Sequence, residues 1–221
     1  MKFLCLHGNG TSSYVLMVQT APLRNELEDG HEFEFVEGTV EVPMFPGVES
    51  LAGTEDRRFY AYYNPADTTT IPRVLSQLDE YVRAEGPFDA ILGFSAGAVL
   101  AAMYLVDQQR RQKADEGAPA ALPFKCAVLL SPGSSSTELA WMGFDAQKDT
   151  IRIPTAHVWG SADDVAPTGG QDLAETCDAS RRQIAIHGGG HELPSQSDLT
   201  KAVHIIRKTI FDANQPYGVT P

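Results

Sequence analysis

The chain has 221 residues, 43% hydrophobic and 21% charged, which is ordinary for a globular protein and enough to bury a sizeable core in one domain, 1–221. The net charge of −12 opposes binding to nucleic acid or to an anionic membrane surface, and no run of about 18 apolar residues offers a membrane span. Three cysteines (Cys5, Cys126, Cys177) without CxxC spacing point to neither a disulfide framework nor a zinc site.

The chain opens on an apolar run, residues 2–7 (KFLCLH), that reads as a buried strand. It turns polar too soon for a secretory signal, so a cytoplasmic location is expected. Residues 13–27 have helical character with a break near Pro22, and residues 33–36 (FEFV) form a second strand. Residues 38–69 look irregular and are rich in Pro, Gly and aromatics. Thr70 is expected to cap a helix whose apolar face is Ile71, Val74, Leu75, Leu78 and Val82, with Pro72 in its first turn.

Gly86-Pro87 ends that helix, and residues 88–93 (FDAILG) give a third strand. A helix over 96–111 is apolar nearly all round at its start, as expected of one packed on a sheet. A polar connector (112–123), a fourth strand (125–131), a loop or small lid (132–150) and a fifth strand (154–160) follow. The chain ends with a short helix near 170–177, a sixth strand (182–187) and a helix over 196–210 with Leu199, Val203, Ile206 and Ile210 on one face.

Strand–helix alternation with near-continuous apolar strands predicts an α/β fold. Its sheet is parallel, has about six strands and is flanked by helices, and right-handed crossovers leave few topologies for it. Ligands in such sheets sit beyond the carboxyl ends of the strands, so residues that do chemistry should follow strands.

Several groups do. Gly93-Phe-Ser95-Ala-Gly97 joins a strand to a helix, the context of a G-x-S-x-G nucleophile elbow, although a strand–helix turn with a solvated serine gives the same pattern. His187-Gly-Gly-Gly-His191 follows the last strand and supplies a group that titrates near neutrality. His187 should end the strand and His191 stand on the loop tip. A metal pair at i, i+4 needs a helix, which three glycines oppose. Gly160-Ser-Ala-Asp163-Asp164 follows the fifth strand and offers an acid to orient the histidine, with Asp163 and Asp164 in competition. The chain order Ser95, acid, His191 is that of α/β-hydrolases. An oxyanion would be held by the Ala96 N–H and by a second N–H from the loop after the first strand, where Asn9 is the best placed.

With these residues assembled, the chain resembles the FSH-type serine hydrolase family of fungi and other eukaryotes, small α/β-hydrolases with little or no cap; the resemblance implies the α/β-hydrolase sheet without its two usual N-terminal strands, in the order 2-1-3-4-5-6. The resemblance runs through LCLHGNGTS, FEFVEGTVEVP, GPFDAILGFSAGA, HVWGSADDVAP and HGGGHELP. It implies Ser95 as nucleophile, His191 as base and, through the family's G-x-x-D pattern from Gly160, Asp163 as the acid. Many relatives carry Gln where this chain has Ala96, but a backbone donor tolerates that change. FYAYYNPADT and the FVEG region resemble members encoded beside polyketide synthases, some of them similar to type II thioesterases.

The resemblance therefore implies hydrolysis of an acyl thioester, a polyketide on a carrier domain being one candidate. A small-molecule carboxylesterase or lactonase is the second reading, and retro-aldol chemistry or simple binding in the same pocket is the third. No metal or organic cofactor is implied. The 43–65 segment and the Trp141–Phe144 segment are expected to wall an apolar acyl pocket. An acyl-carrier partner would need a local basic patch, expected at Arg110, Arg111 and Lys113.

Overall fold

Hydrophobic alternation along the strands generates the architecture. In the computed structural model, which describes residues 1–27, 30–53, 58–64, 66–114 and 122–215, strand β1 (Lys2–Leu6) turns Leu4 and Leu6 to one face and Phe3 and Cys5 to the other. Both sets are buried, as the two faces of a covered parallel sheet require. Pro65 and most of the expected 112–123 connector (115–121) lie outside the described residues.

Helices α1 (Ser13–Gln19) and α2 (Ala21–Glu26) follow β1. The break between them falls at Thr20, whose hydroxyl donates to Leu16 O (2.7 Å), with Pro22 in the first turn of α2. Strand β2 (Glu32–Val36) comes next. The segment read as irregular then contains two short strands, β3 (Val40–Val42) and β4 (Phe59–Ala61), paired antiparallel in a separate sheet. Three residues each are too few to show a two-residue period in sequence.

Helix α3 (Ile71–Glu85) buries all five residues of its predicted stripe. Its entry differs from expectation. Thr70 has helical backbone angles and makes no capping bond, because a 3-10 turn (Thr68–Thr70) precedes α3 and is capped by Asp67, whose Oδ1 accepts from Thr69 N (3.0 Å).

Strand β5 (Ala90–Phe94) leads into helix α4 (Ala96–Ala114), which is buried around most of its first three turns. Then come β6 (Cys126–Leu130), α5 (Ser136–Met142), α6 (Ala146–Asp149), β7 (Thr155–Gly160), α7 (Gly169–Glu175), β8 (Arg182–His187) and α8 (Gln196–Ala213).

The main sheet is six-stranded, ordered β2-β1-β5-β6-β7-β8, with every neighbouring pair parallel. Counting only its own strands along the chain, that is the expected order 2-1-3-4-5-6. Helices α3, α4 and α7 pack on one face, and α1, α2 and α8 on the other. Cys5, Cys126 and Cys177 are free thiols buried in these layers. Burial pushes all three up, Cys177 to about 11, which leaves them protonated at neutral pH.

The 132–150 segment holds α5 and α6, and its far end is fastened to α4. The Arg110 guanidinium donates to Asp149 Oδ1 (3.0 Å), Asp149 Oδ2 (2.6 Å), Met142 O (2.8 Å) and Gly143 O (3.2 Å). Met142 and Phe144 pack against the core beneath. The hydrogen-bonded Arg110 holds the Asp149 carboxyl down at about 2.

A carboxylate with a depressed native pKa stabilises the fold above its unfolded value and loses that contribution as the pH falls through the native one. The stability gap between the wild type and Asp149→Asn is therefore expected to be full above about pH 4 and to narrow towards about pH 2. Urea unfolding at pH 7, 5, 4 and 3 measures it. A gap independent of pH would contradict the ion pair.

Candidate active site

The site begins at a strained turn between β5 and α4. Ser95 has φ +55°, a left-handed conformation that costs a non-glycine residue about 1–3 kcal/mol. The flanking glycines are required by close approach. A Cβ on Gly93 would lie 2.4 Å from Gly97 O, and one on Gly97 would lie 2.2 Å from Leu6 O and 2.6 Å from His7 O. Helix α4 thus lies directly on the backbone of β1, and Ser95 is raised at the carboxyl end of the sheet, partly exposed. The Ser95 N–H donates to Leu130 O (3.0 Å), which ties the turn to β6.

The loop after β8 brings His191 to this serine, with His191 Nε2 2.9 Å from Ser95 Oγ. On the other side of the ring, His191 Nδ1 is 2.7 Å from Asp163 Oδ2. The side chains of His191 and Asp163 are 6% and 4% exposed, so water screens this contact little. Asp163 Oδ1 accepts from Val165 N (3.0 Å) and Ala166 N (2.9 Å), which fixes the carboxylate and leaves Oδ2 for the ring. Asp164, one residue on, is exposed and has no such role in the geometry.

His187 ends β8, as expected, and does not enter the site. His157 is buried in β7, and burial pushes its imidazole down to about 3, so it stays neutral. Among the described residues no cluster of His, Cys, Asp and Glu could hold a metal ion.

Ala96 follows Ser95 directly, and Asn9 follows Gly8, which abuts the serine turn. Ala96 is the first residue of α4, where the free N–H groups and the helix dipole favour negative charge. The loop carrying Asn9 presses on the turn, a Cβ on Gly8 standing 3.1 Å from Ser95 Cβ. That loop is strapped by backbone bonds from Gly10 N to Tyr60 O (3.0 Å) and from Phe45 N to Gly10 O (2.8 Å). Among the described residues, neither the Asn9 nor the Ala96 N–H donates to a protein acceptor.

An open cleft of about 460 Å³ starts at Asn9 and runs between Val40–Pro46 and Tyr63–Asn64. The expected aromatic wall is half present. Phe45 and Tyr63 line the cleft, and the Phe45 ring lies 6.4 Å from the His191 ring. The Trp141–Phe144 segment does not line it, because Met142 and Phe144 turn into the core and Trp141 is exposed. Phe94, whose ring is 5.5 Å from that of His191, fills the first variable position of the G-x-S-x-G pattern, which assigns it no role.

The expected basic patch does not stand free. Arg110 is held by Asp149, Arg111 pairs with Asp79 (3.2 Å) and Asp107 (2.8 Å), and the Lys113 ammonium donates to Lys148 O. The two guanidiniums face acids of their own chain, so their charge is locally compensated.

A six-stranded parallel sheet with a serine on a strained strand–helix turn and a histidine and an acid on the loops after later strands defines an α/β-hydrolase. The family model for serine hydrolase (FSH1) matches residues 1–203, and the chain belongs to that family. It is 35% identical to the esterase FPY3 of Fusarium mangiferae, over 96% of this chain and 99% of that protein. It is 28% identical to the hydrolase phiM of a fungal species, over 92% of each. Among solved structures, esterase PE8 superposes with a TM-score of 0.61 at 19% identity, covering 94% of this chain and 92% of that one. The Bacillus cereus carboxylesterase gives 0.58 at 16%, covering 94% and 87%. Both share the fold. The chain is a serine hydrolase of the esterase type.

Gly160 sets how closely the histidine loop approaches. A Cβ there would lie 2.1 Å from Gly189 O and 2.2 Å from Gly190 O. Gly160→Ala is therefore expected to displace that loop and lower ester turnover by about 100-fold, the effect of a misplacement near 1 Å. Steady-state kinetics beside thermal unfolding would check it, and unchanged turnover would show that the loop has room to spare.

Proposed function

We propose that Ser95, His191 and Asp163 form a catalytic triad that hydrolyses small acyl esters and thioesters through an acyl-enzyme. The observation that carries this reading is the unbroken chain of contacts from Ser95 Oγ to His191 Nε2 and from His191 Nδ1 to Asp163 Oδ2. In the tautomer that fits, Nδ1–H donates to Asp163 and Nε2 accepts the serine proton. Ser95 Oγ attacks the acyl carbonyl carbon as its proton passes to Nε2, and Asp163 stabilises the resulting imidazolium. The carbonyl oxygen gathers negative charge between the Asn9 and Ala96 N–H groups. The imidazolium returns its proton to the departing alcohol or thiol. A water then gives a proton to His191 and attacks the acyl-enzyme, releasing the acid and restoring the Ser95 hydroxyl.

The cleft supports the substrate class. Val40, Val42, Pro43, Met44, Phe45 and Pro46 offer apolar surface to an acyl chain. Release of a polyketide chain from a carrier domain is the narrower form of this function. The compensated charges at Arg110 and Arg111 weaken the case for a docking surface there, so the free ester or thioester ranks first.

A fluorophosphonate is expected to add once to the wild type and not to Ser95→Ala, as read by intact mass. An adduct on the variant, or none on either, would overturn the nucleophile. Asp163→Asn is expected to lower kcat by about 10³- to 10⁴-fold, because the ring loses the acceptor that fixes its tautomer, whereas Asp164→Asn stays near wild type. The reverse order would move the acid to Asp164. A panel of p-nitrophenyl esters, N-acetylcysteamine thioesters and acyl-carrier thioesters then separates the substrate classes. Hydrolysis confined to the carrier-bound forms would promote the narrower function.

A further inference from the structure

Ser131 is the first residue after β6, is 1% exposed, and adopts φ +36°. Among the described residues, Ser95 and Gln196 are the other non-glycine positions with positive φ. Ser95 is the proposed nucleophile, and Gln196 begins α8 just beyond the histidine loop. A buried serine held in this conformation signals a backbone constrained by its surroundings for a purpose.

Its contacts show what it holds. The Ser131 N–H donates to Val158 O on β7 (2.7 Å), and its hydroxyl donates to Glu192 O (2.7 Å), the carbonyl directly after His191. The preceding residue supplies Leu130 O, which accepts the Ser95 N–H (3.0 Å). One dipeptide therefore fastens the serine turn through its carbonyl and the histidine loop through its side chain.

Further ties hold the histidine loop. Ser161 N and Oγ donate to His187 O (2.8 and 3.1 Å), Ala162 N donates to Gly189 O (3.0 Å), and the Gly188 N–H donates to the Asp198 carboxylate on α8. The bonds from Ser161 and Ala162 link the loop to the turn that carries Asp163. The Ser131 hydroxyl links it to the end of β6, beside the carbonyl that receives the Ser95 N–H.

We infer that Ser131 is a positioning residue: its hydroxyl anchors the loop after β8 to the end of β6 and so fixes the distance over which the Ser95 proton passes to His191. The inference rests on the triad reading above. It places in this buried hydroxyl a requirement that neither the nucleophile, the acid nor the base supplies, since each could be intact while the gap between Ser95 and His191 widened.

Two variants separate positioning from stability. Ser131→Ala removes the hydroxyl and keeps the unfavourable φ. Ser131→Gly removes the hydroxyl and relieves that φ. With a small p-nitrophenyl ester, both are expected to lose about 10- to 100-fold in kcat, with KM within about twofold, and to slow fluorophosphonate labelling in parallel. The glycine variant should melt no lower than the alanine variant yet be no more active.

Two results would overturn the inference. Either both variants keep kcat within about twofold of wild type, or activity follows melting temperature so that glycine restores what alanine loses. Ser95→Ala and His191→Ala are measured alongside. Activity retained in either would bring down the triad reading and this inference with it. Activity abolished in both, with the Ser131 variants unaffected, would bring down this inference alone.

Discussion

The close approach of α4 to β1 is the constraint on which the site depends. Gly97 lets the first turn of the helix rest against the carbonyls of Leu6 and His7, with no side chain between them. That contact places the start of α4 over the centre of the sheet and leaves the chain one residue, Ser95, in which to reverse direction. The left-handed backbone at Ser95 is the geometric result. Its strain is borne by the buried layers around it: β1, β5 and β6 are apolar on both faces, and α4 is buried from Gly97 through Val106.

From that fixed point the other parts are set by strand order. Neighbouring parallel strands lie about 4.8 Å apart, so β7 is two strands from β5 and β8 is three. The acid therefore needs only a short turn after β7. The histidine must reach back across the sheet, and the glycine run 188–190 lets the chain do so beside Gly160. The two sides of the site differ in kind as a result. The Asp163 carboxylate is gripped by backbone N–H groups of its own turn, whereas the His191 loop is held to the sheet by Ser131, Ser161 and Ala162.

Most of this was legible in the residues because it rests on local rules. Apolar runs marked the six strands of the main sheet, the crossover rule narrowed their arrangement, and the family resemblance supplied their order. The α3 stripe was periodic over fifteen residues, long enough to read. The glycines of the elbow and of the histidine loop marked the turns. What was hidden depended on contacts distant in sequence. The β3–β4 pair joins residues about twenty apart through strands of three residues. The cap before α3 moved from Thr70 to Asp67 because a 3-10 turn intervened. Asp149, the partner of Arg110, and Asp79, one partner of Arg111, lie on other elements, so two cations adjacent in sequence looked free when they were not. The roles of Phe45 and Phe94 beside the His191 ring follow from packing, which composition does not encode.

The way the 38–64 segment is attached carries a consequence for divergence. Side chains carry one part of its hold on the rest of the molecule, Tyr62 Oη accepting from His7 N and Tyr63 Oη donating to Glu138 Oε1. Main-chain atoms carry another: Gly10 N to Tyr60 O, Tyr60 N to Thr11 O, and Phe45 N to Gly10 O. Such bonds are indifferent to the side chains at 40–46, which form one wall of the cleft. Met44 and Phe45 also pack against Val15, Val48 and Phe59, so the lining that can be exchanged most freely is Val40 and Val42. One wall of the cleft can thus change its shape while the loops that carry Ser95, Asp163 and His191 stay in place.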